Sequence, residues 1–190
     1  MQATDQEMMA RLAAGDDLAL NELMIRWRER VASFIYRMTN HREDAADLAQ
    51  ETFVKLYQAR HRYRPEAKFS TYLFAIANNL VRNQARWKAR HPTVSLEQSV
   101  DGADHILEMI DPSQNPGEAL ISAEQQKAIH LAFQELPVEL REAMTLFIHE
   151  EMSYVEIAHV IGCSNKAVET RIYRARQILR ERLKPIFHHL

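Results

Sequence analysis

The chain has 190 residues, 46% of them hydrophobic, with only four Gly and six Pro; that is enough for one ordinary domain or two small ones, and the balance favours helix over sheet. A single cysteine, Cys163, excludes an internal disulfide. No apolar run approaches bilayer length and no basic-then-apolar leader opens the chain, so a cytoplasmic protein without membrane insertion is expected despite an uninformative net charge of −2.

Taken in chain order, Thr4-Asp5-Gln6-Glu7 has the pattern of a capping box that opens a short helix, with Gly15 closing it. A second helix is predicted over about 18–38, with Leu20, Leu23, Met24, Trp27, Val31, Phe34 and Ile35 on one face. A third follows over about 44–59. A basic and aromatic loop, 61–68, leads to Ser70, the expected cap of a helix running to about Arg90, with Phe69 and Phe74 at staple spacing and Pro92 as the stop. Periodicity fades between Pro92 and Asn115, where Pro, Gly and scattered acids mark a linker. Asn115-Pro116 is the expected start of a helix reaching about Glu135. Leu136-Pro137 breaks it, and another helix covers about 138–149. Ser153-Tyr154-Val155-Glu156 is a second capping box, opening a short helix that ends at Gly162, and Ser164 caps a last helix to about Leu183. The expected fold is all-α: a helical bundle over 1–91, an acidic linker over 92–116 and a helix-turn-helix domain over 117–190.

Charge is distributed in blocks. Residues 1–53 hold ten acids against six Lys and Arg; residues 55–91 hold nine Lys and Arg against one acid, Glu66. Residues 92–126 hold seven acids and no Lys or Arg, and residues 166–184 hold seven Lys and Arg against two acids. Two basic blocks flanking an acidic one suit two polyanion contacts joined by a tether that binds none.

The local signal that carries most is 153–176: a short helix, a tight Gly162-Cys163 turn and a long basic helix, which is helix-turn-helix geometry. Val168, Ile172, Ala175, Leu179 and Leu183 fall on one side; Lys166, Thr170, Tyr173, Arg174, Gln177 and Arg180 fall mainly on the other, a side suited to a major groove. Asn165, Lys166, Glu169 and Thr170 lie at the end where base edges are usually met. A solvated basic helix on an ordinary bundle is the plain alternative. In the second block, Asn79, Arg82, Asn83, Arg86 and Arg90 share one helix face, while Leu73, Ile76, Ala77, Leu80 and Trp87 fit the buried one. The preceding stretch 61–69 interleaves rings with cations, as unstacked bases require. On the third helix Ala45, Leu48, Ala49, Phe53 and Leu56 point inward, leaving Asp47, Gln50, Glu51 and Val54 as an acidic outer stripe able to dock a basic partner.

These blocks, in this order, resemble the extracytoplasmic-function (group IV) sigma factors of bacterial RNA polymerase. The resemblance rests on Asp44-Ala-Ala-Asp47-Leu-Ala-Gln50-Glu51-Thr-Phe53-Val-Lys-Leu-Tyr57, on Phe69-Ser-Thr-Tyr72-Leu-Phe-Ala-Ile76-Ala-Asn78-Asn-Leu, and on Leu136-Pro137, Arg141, Ser153-Tyr154-Val-Glu156-Ile157-Ala158, Val168, Arg171 and Arg174-Ala175-Arg176. It implies sigma region 2 over 1–91 and region 4 over 117–190. It further implies that Asp47, Gln50, Glu51 and Val54 meet the clamp helices of the largest polymerase subunit, β′, and that region 4 meets the β flap. The loop residues Arg62, Tyr63, Arg64 and Lys68 would capture a flipped base of the promoter −10 strand, and Asn78, Asn79, Arg82, Asn83 and Arg86 would line its path. Lys166, Glu169, Thr170, Arg171, Arg174 and Arg176 would read the −35 element as duplex. An anti-sigma factor is an implied partner. Tyr72 stands where the family often has Trp; Lys166-Ala167 replaces a frequent Gly-Thr pair, and Glu169 a frequent cation.

The implied function is promoter recognition and transcription initiation by core polymerase, with melting driven by differential binding to open DNA, no enzymatic step and no cofactor. The chain has no GxxxxGK[ST] loop. A helix-turn-helix regulator acting without polymerase, with 1–115 as a sensor or dimerisation domain, is the alternative, and it leaves the basic-aromatic block unexplained. The nine histidines prompt a metalloenzyme reading, but His149-Glu150-Glu151 lacks HExxH spacing and no Cys cluster exists. Cys163, in the turn, is read as a small half-buried residue, not as a redox sensor.

Overall fold

Residue choice at the helix ends sets the architecture. Thr4 and Glu7 form the expected reciprocal capping box at the start of α1 (Asp5–Ala13). Asn40 closes α2 (Leu18–Thr39) with a left-handed φ of 53°, a conformation its short polar side chain tolerates. His41 then caps α3 (Arg42–Gln58) by accepting from the Asp44 amide. A single 3-10 turn, Arg60–Arg62, precedes α4 (Phe69–Arg90). The C-terminal part comprises α5 (Ala123–Gln134), α6 (Val138–Ile148), α7 (Tyr154–Ile161) and α8 (Asn165–Leu183). The computed structural model describes residues 3–64, 68–91 and 123–185, and no strand occurs among them. The expected linker over 92–116, the Asn115-Pro116 helix start and Pro65-Glu66-Ala67 of the basic loop lie outside the described residues.

Two sequence expectations are corrected. Ser70 does not cap α4: cap and helix start lie two residues earlier, with Lys68 as the cap, Phe69 as the first helical residue and no capping side-chain bond. Phe69 does the anchoring instead, buried with its ring edge-on to Trp27 at 5.7 Å. Trp87, expected on the buried face, is 52% exposed and stacks on His91. The last buried residue of α4 is Val81, and the helix runs on beyond its core.

The N-terminal unit packs α1 to α4 around an aromatic relay. Trp27 and Phe34 of α2 each meet Phe74 of α4 edge-on, at 6.3 and 5.3 Å. Leu23, Val31, Ile35, Leu56 and Leu73 close the same core without exposed surface. Emptying a site such as Phe34 costs about 3–5 kcal/mol in a core of this kind. In the C-terminal unit, Leu146, Ile157, Val168, Ile172 and Ala175 bring α6, α7 and α8 together.

The units also pack on each other, with α4 against α7 and α2 against α6. Glu142, Ala143, Met144, Thr145 and Leu146 are five consecutive buried residues, so α6 is covered on every side. An amphipathic helix of an isolated three- or four-helix domain keeps one face in water; α6 has none over this stretch because α2 packs on it in addition to α7 and α8, and Arg82 of α4 reaches Glu142.

Candidate nucleic-acid interface

Helix-turn-helix geometry follows from three short-range devices. The Ser153 side chain accepts from the Glu156 amide while Glu156 accepts from the Ser153 amide at 2.8 Å and hydroxyl at 2.6 Å. These bonds, the Ser153 hydroxyl first and then Lys68, hold the Glu156 carboxyl down at about 2. Gly162 ends α7 at φ 70°, and the amides of Gly162 and Cys163 both donate to the Ala158 carbonyl. Ser164 then caps α8 by accepting from the Ala167 amide. Cys163 is half-buried in this turn.

Burial of Val168, Ile172, Ala175 and Leu179 fixes the rotation of α8. Lys166, Thr170, Tyr173, Arg174 and Gln177 consequently face solvent, Tyr173 with 64% exposure. Lys166 pairs with Glu169 at 2.8 Å, and Thr170 donates to the Lys166 carbonyl. Glu169 thus orients and partly neutralises Lys166. Of the expected −35 residues, Arg171 and Arg176 stand off this face. Arg171 is half-buried with Nη1 enclosed, and the Arg176 guanidinium lies over the Phe147 ring at 5.1 Å. Tyr173 and Gln177 share the outward face, as helical spacing already indicated.

On α4, Asn79, Asn83, Arg86 and Arg90 are exposed along one side. Asn78 is not with them. It is fully buried on the flank it shares with Thr71 and Arg82, at i, i+7 and i+11, and neither of its amide atoms has a hydrogen-bond partner among the described residues. Arg82 is half-buried: Nη2 donates to Glu142 Oε2 at 2.7 Å and Nη1 to the Ile161 carbonyl at 2.9 Å. In the loop, Arg62 and Arg64 are exposed, whereas Tyr63 is braced edge-on between Tyr72 at 5.2 Å and Phe69 at 6.3 Å. Burial pushes the Tyr63 hydroxyl up from its ordinary pKa. Lys68 pairs with Glu156 at 2.9 Å. Two expected strand-binding cations are therefore held by carboxylates of the C-terminal unit, an arrangement that sequence spacing does not reveal.

The acidic stripe of α3 is placed as expected. Asp47, Gln50, Glu51 and Val54 are all exposed, opposite the buried Ala45, Leu48, Ala49, Phe53 and Leu56. Thr52, also buried, donates to the Leu48 carbonyl. Among the described residues no cluster of His, Cys, Asp and Glu is placed to hold a metal ion, and no helix is long and apolar enough to cross a membrane.

Comparison with known proteins locates both halves. The family model for Sigma-70 region 2 matches residues 23–91, and that for Sigma-70, region 4 matches residues 126–179. The chain is 33% identical over 189 residues to the RNA polymerase sigma-H factor of Pseudomonas aeruginosa, covering 97% of this chain and 96% of that one. It is 32% identical to the ECF RNA polymerase sigma-E factor of Escherichia coli K12, covering 97% of each. The solved structure of CnrH in complex with the cytosolic domain of CnrY superimposes with a TM-score of 0.69 at 27% identity, covering 95% of this chain and 97% of that one. With all-helical units carrying both sigma signatures in order, and relatives matched end to end, the chain belongs to the extracytoplasmic-function sigma factors, the RNA polymerase subunits that direct promoter recognition and transcription initiation.

Proposed function

We propose that this sigma factor divides its work as follows. Residues 1–91 act as region 2, docking on the β′ clamp helices of core polymerase through Asp47, Gln50, Glu51 and Val54. The same unit takes up the −10 strand through Arg62, Tyr63, Arg64 and Lys68 and the α4 side chains Asn79, Arg82, Asn83 and Arg86. Residues 117–190 act as region 4, meeting the β flap and reading −35 duplex with Lys166, Glu169, Thr170 and Arg174. Residues 92–116 join them as an acidic tether. The observation that carries this reading is the pair of outward faces rich in cations and amides, one on α4 and one on α8, each backed by its own core.

The chemistry of each face fits its assigned strand. The α8 face mixes cations with Thr, Tyr and Gln, the donors and acceptors that base edges in a major groove require. The loop before α4 offers cations beside rings, suited to bases that have left the stack. Unstacking costs a few kcal/mol per nucleotide, so contacts made only with the open strand supply the melting energy. No enzymatic activity enters this scheme, and the place of work is the cytoplasm, where core polymerase and promoter meet. A regulator acting without polymerase is not favoured, since residues 23–91, which it would use as a sensor, match Sigma-70 region 2.

An anti-sigma factor is a further proposed partner, supported by the likeness to CnrH, whose solved structure includes the cytosolic domain of CnrY. The test is reconstitution. The purified chain should co-purify with core polymerase and yield promoter-specific run-off transcripts. Binding to duplex operators with no polymerase association would overturn the reading in favour of the regulator.

A further inference from the structure

Helix α4 continues for nine residues past Val81, its last buried residue, an overhang of about 13 Å at about 1.5 Å per residue. A helix end with no core beneath it frays unless side chains hold it. Here Lys88 reaches back to Asp44 of α3 at 2.5 Å, and the Trp87 ring stacks on His91 with 4.9 Å between centroids and 24° between planes. The indole nevertheless stays half in water, so it does not serve the core. The overhang carries Arg82, Arg86, Lys88 and Arg90, and α4 holds no Asp or Glu along its length. Arg82 and Lys88 are paired with carboxylates, whereas Arg86 and Arg90 have no acidic partner among the described residues. Each of these two donates Nε to the carbonyl four residues back, at 3.4 and 3.3 Å, which lays the guanidinium along the helix and leaves its Nη atoms without a partner among the described residues.

Charge and position say what covers this end. Asn83, Arg86, Trp87 and Arg90 stand at i, i+3, i+4 and i+7, so the indole and the unpaired guanidinium groups continue the amide and cation face assigned above to the −10 strand. A face of cations, an indole N–H and no carboxylate repels a basic partner and suits a sugar-phosphate backbone. Guanidinium and indole N–H donate to phosphate oxygens, and the ring lies on the apolar part of the sugar. Residue 91 also leads into the stretch that connects to the unit assigned to the −35 element, which lies upstream of the −10 element. The exit of α4 is thus the upstream end of the strand-binding surface, past the point where the strands separate.

We propose that Trp87, Arg90 and His91 form a further DNA contact, which grips the backbone of the paired DNA immediately upstream of the −10 element without reading its bases. The proposal rests on the promoter-reading roles given above and adds a third anchor between the two readers. Its consequence is that part of the affinity for a promoter is independent of sequence and sensitive to salt, and is in place before any base has left the stack.

Holoenzyme reconstituted from the full-length chain and core polymerase tests this, on a promoter fragment that it transcribes in the run-off assay. Trp87→Ala, Arg90→Gln and Arg90→Lys are compared with wild type; both positions are exposed, so thermal melts of the variants should match it. Loss of one phosphate contact lowers the slope of log affinity against log salt by about 0.9. Arg90→Gln should show that loss, and Arg90→Lys, which keeps the charge, should not. Trp87→Ala should bind about 10-fold more weakly, the effect of losing one hydrogen bond to a charged group. Hydroxyl-radical footprinting should find the backbone just upstream of the −10 element protected by wild type and uncovered in Trp87→Ala. Scrambling the base pairs there should change wild-type affinity by less than about 2-fold, since backbone contacts carry no sequence information. Variants with the wild-type slope and footprint overturn the proposal, and so does a slope lost equally in Arg90→Lys. Should Trp87→Ala loosen the helix end, the two Arg90 variants decide. A failure of the promoter-reading roles appears separately, as a wild-type holoenzyme that yields no promoter-specific transcripts, and this contact falls with them.

Discussion

Arg82 of α4 and Glu142 of α6, sixty residues apart in sequence, meet at 2.7 Å with the carboxylate almost completely enclosed. A buried carboxylate that loses its cation is stranded in low dielectric, which typically costs about 3–5 kcal/mol, whereas replacing both partners costs far less. Arg82→Ala should therefore weaken the packed state strongly, Glu142→Gln moderately, and the double variant by much less than their sum. A double-mutant cycle on denaturant unfolding should give a coupling above about 1 kcal/mol. Additive effects would mean the pair does not hold the junction.

Ser153 and Glu156 open α7 by a reciprocal capping box, and Ser153→Ala should cost about 1 kcal/mol. The same box carries a pH signature. Glu156 is held at about 2, below its ordinary value, so its contribution is fully present above the usual carboxylate range and is lost as pH falls through about 2. Glu156→Gln should flatten the acid limb of the unfolding curve between about pH 4.5 and 2 while keeping most of the cap, because an amide oxygen still accepts from the Ser153 amide. An acid limb identical to wild type would count against this account.

Gly162 adopts φ 70° at the close of α7, yet a methyl group added there meets nothing within 4 Å. The cost of Gly162→Ala is therefore backbone strain alone, about 1–2 kcal/mol, and Gly162→Asn should cost less because Asn tolerates the left-handed region. Equal losses for Ala and Asn in thermal unfolding would point to a steric cause instead.

The contrast between these sites explains what sequence could and could not convey. Capping boxes at Thr4 and Ser153, the turn at Gly162 and the burial stripes of α3 and α8 are encoded within one or two turns of chain, and they stand where spacing put them. Ser70 was misleading because a cap-type residue yielded to the packing of Phe69 on Trp27, a contact forty-two residues distant. Trp87 was misleading because periodicity marks an apolar face but not where the core beneath it ends. The enclosure of Arg82 depends on α6 and α7, which no local pattern on α4 reports.

The two arginines at the end of the sigma signature on α8 separate reading from packing. Arg174 faces outward beside Thr170 and Tyr173, whereas Arg176 covers the Phe147 ring of α6. Arg174→Ala should weaken binding to a cognate −35 duplex by about 1–3 kcal/mol, roughly 5-fold to 150-fold, and leave unfolding unchanged. Arg176→Ala should do the reverse: a stability loss of about 0.5–1 kcal/mol from the lost cation–π contact, with duplex affinity altered little. Electrophoretic mobility shifts and thermal melts on both variants distinguish the roles. If Arg176→Ala abolished duplex binding at unchanged stability, α8 would have to present a different face to the groove. In that case Val168 and Ile172 would no longer define the inward side, although they are buried to within 1%.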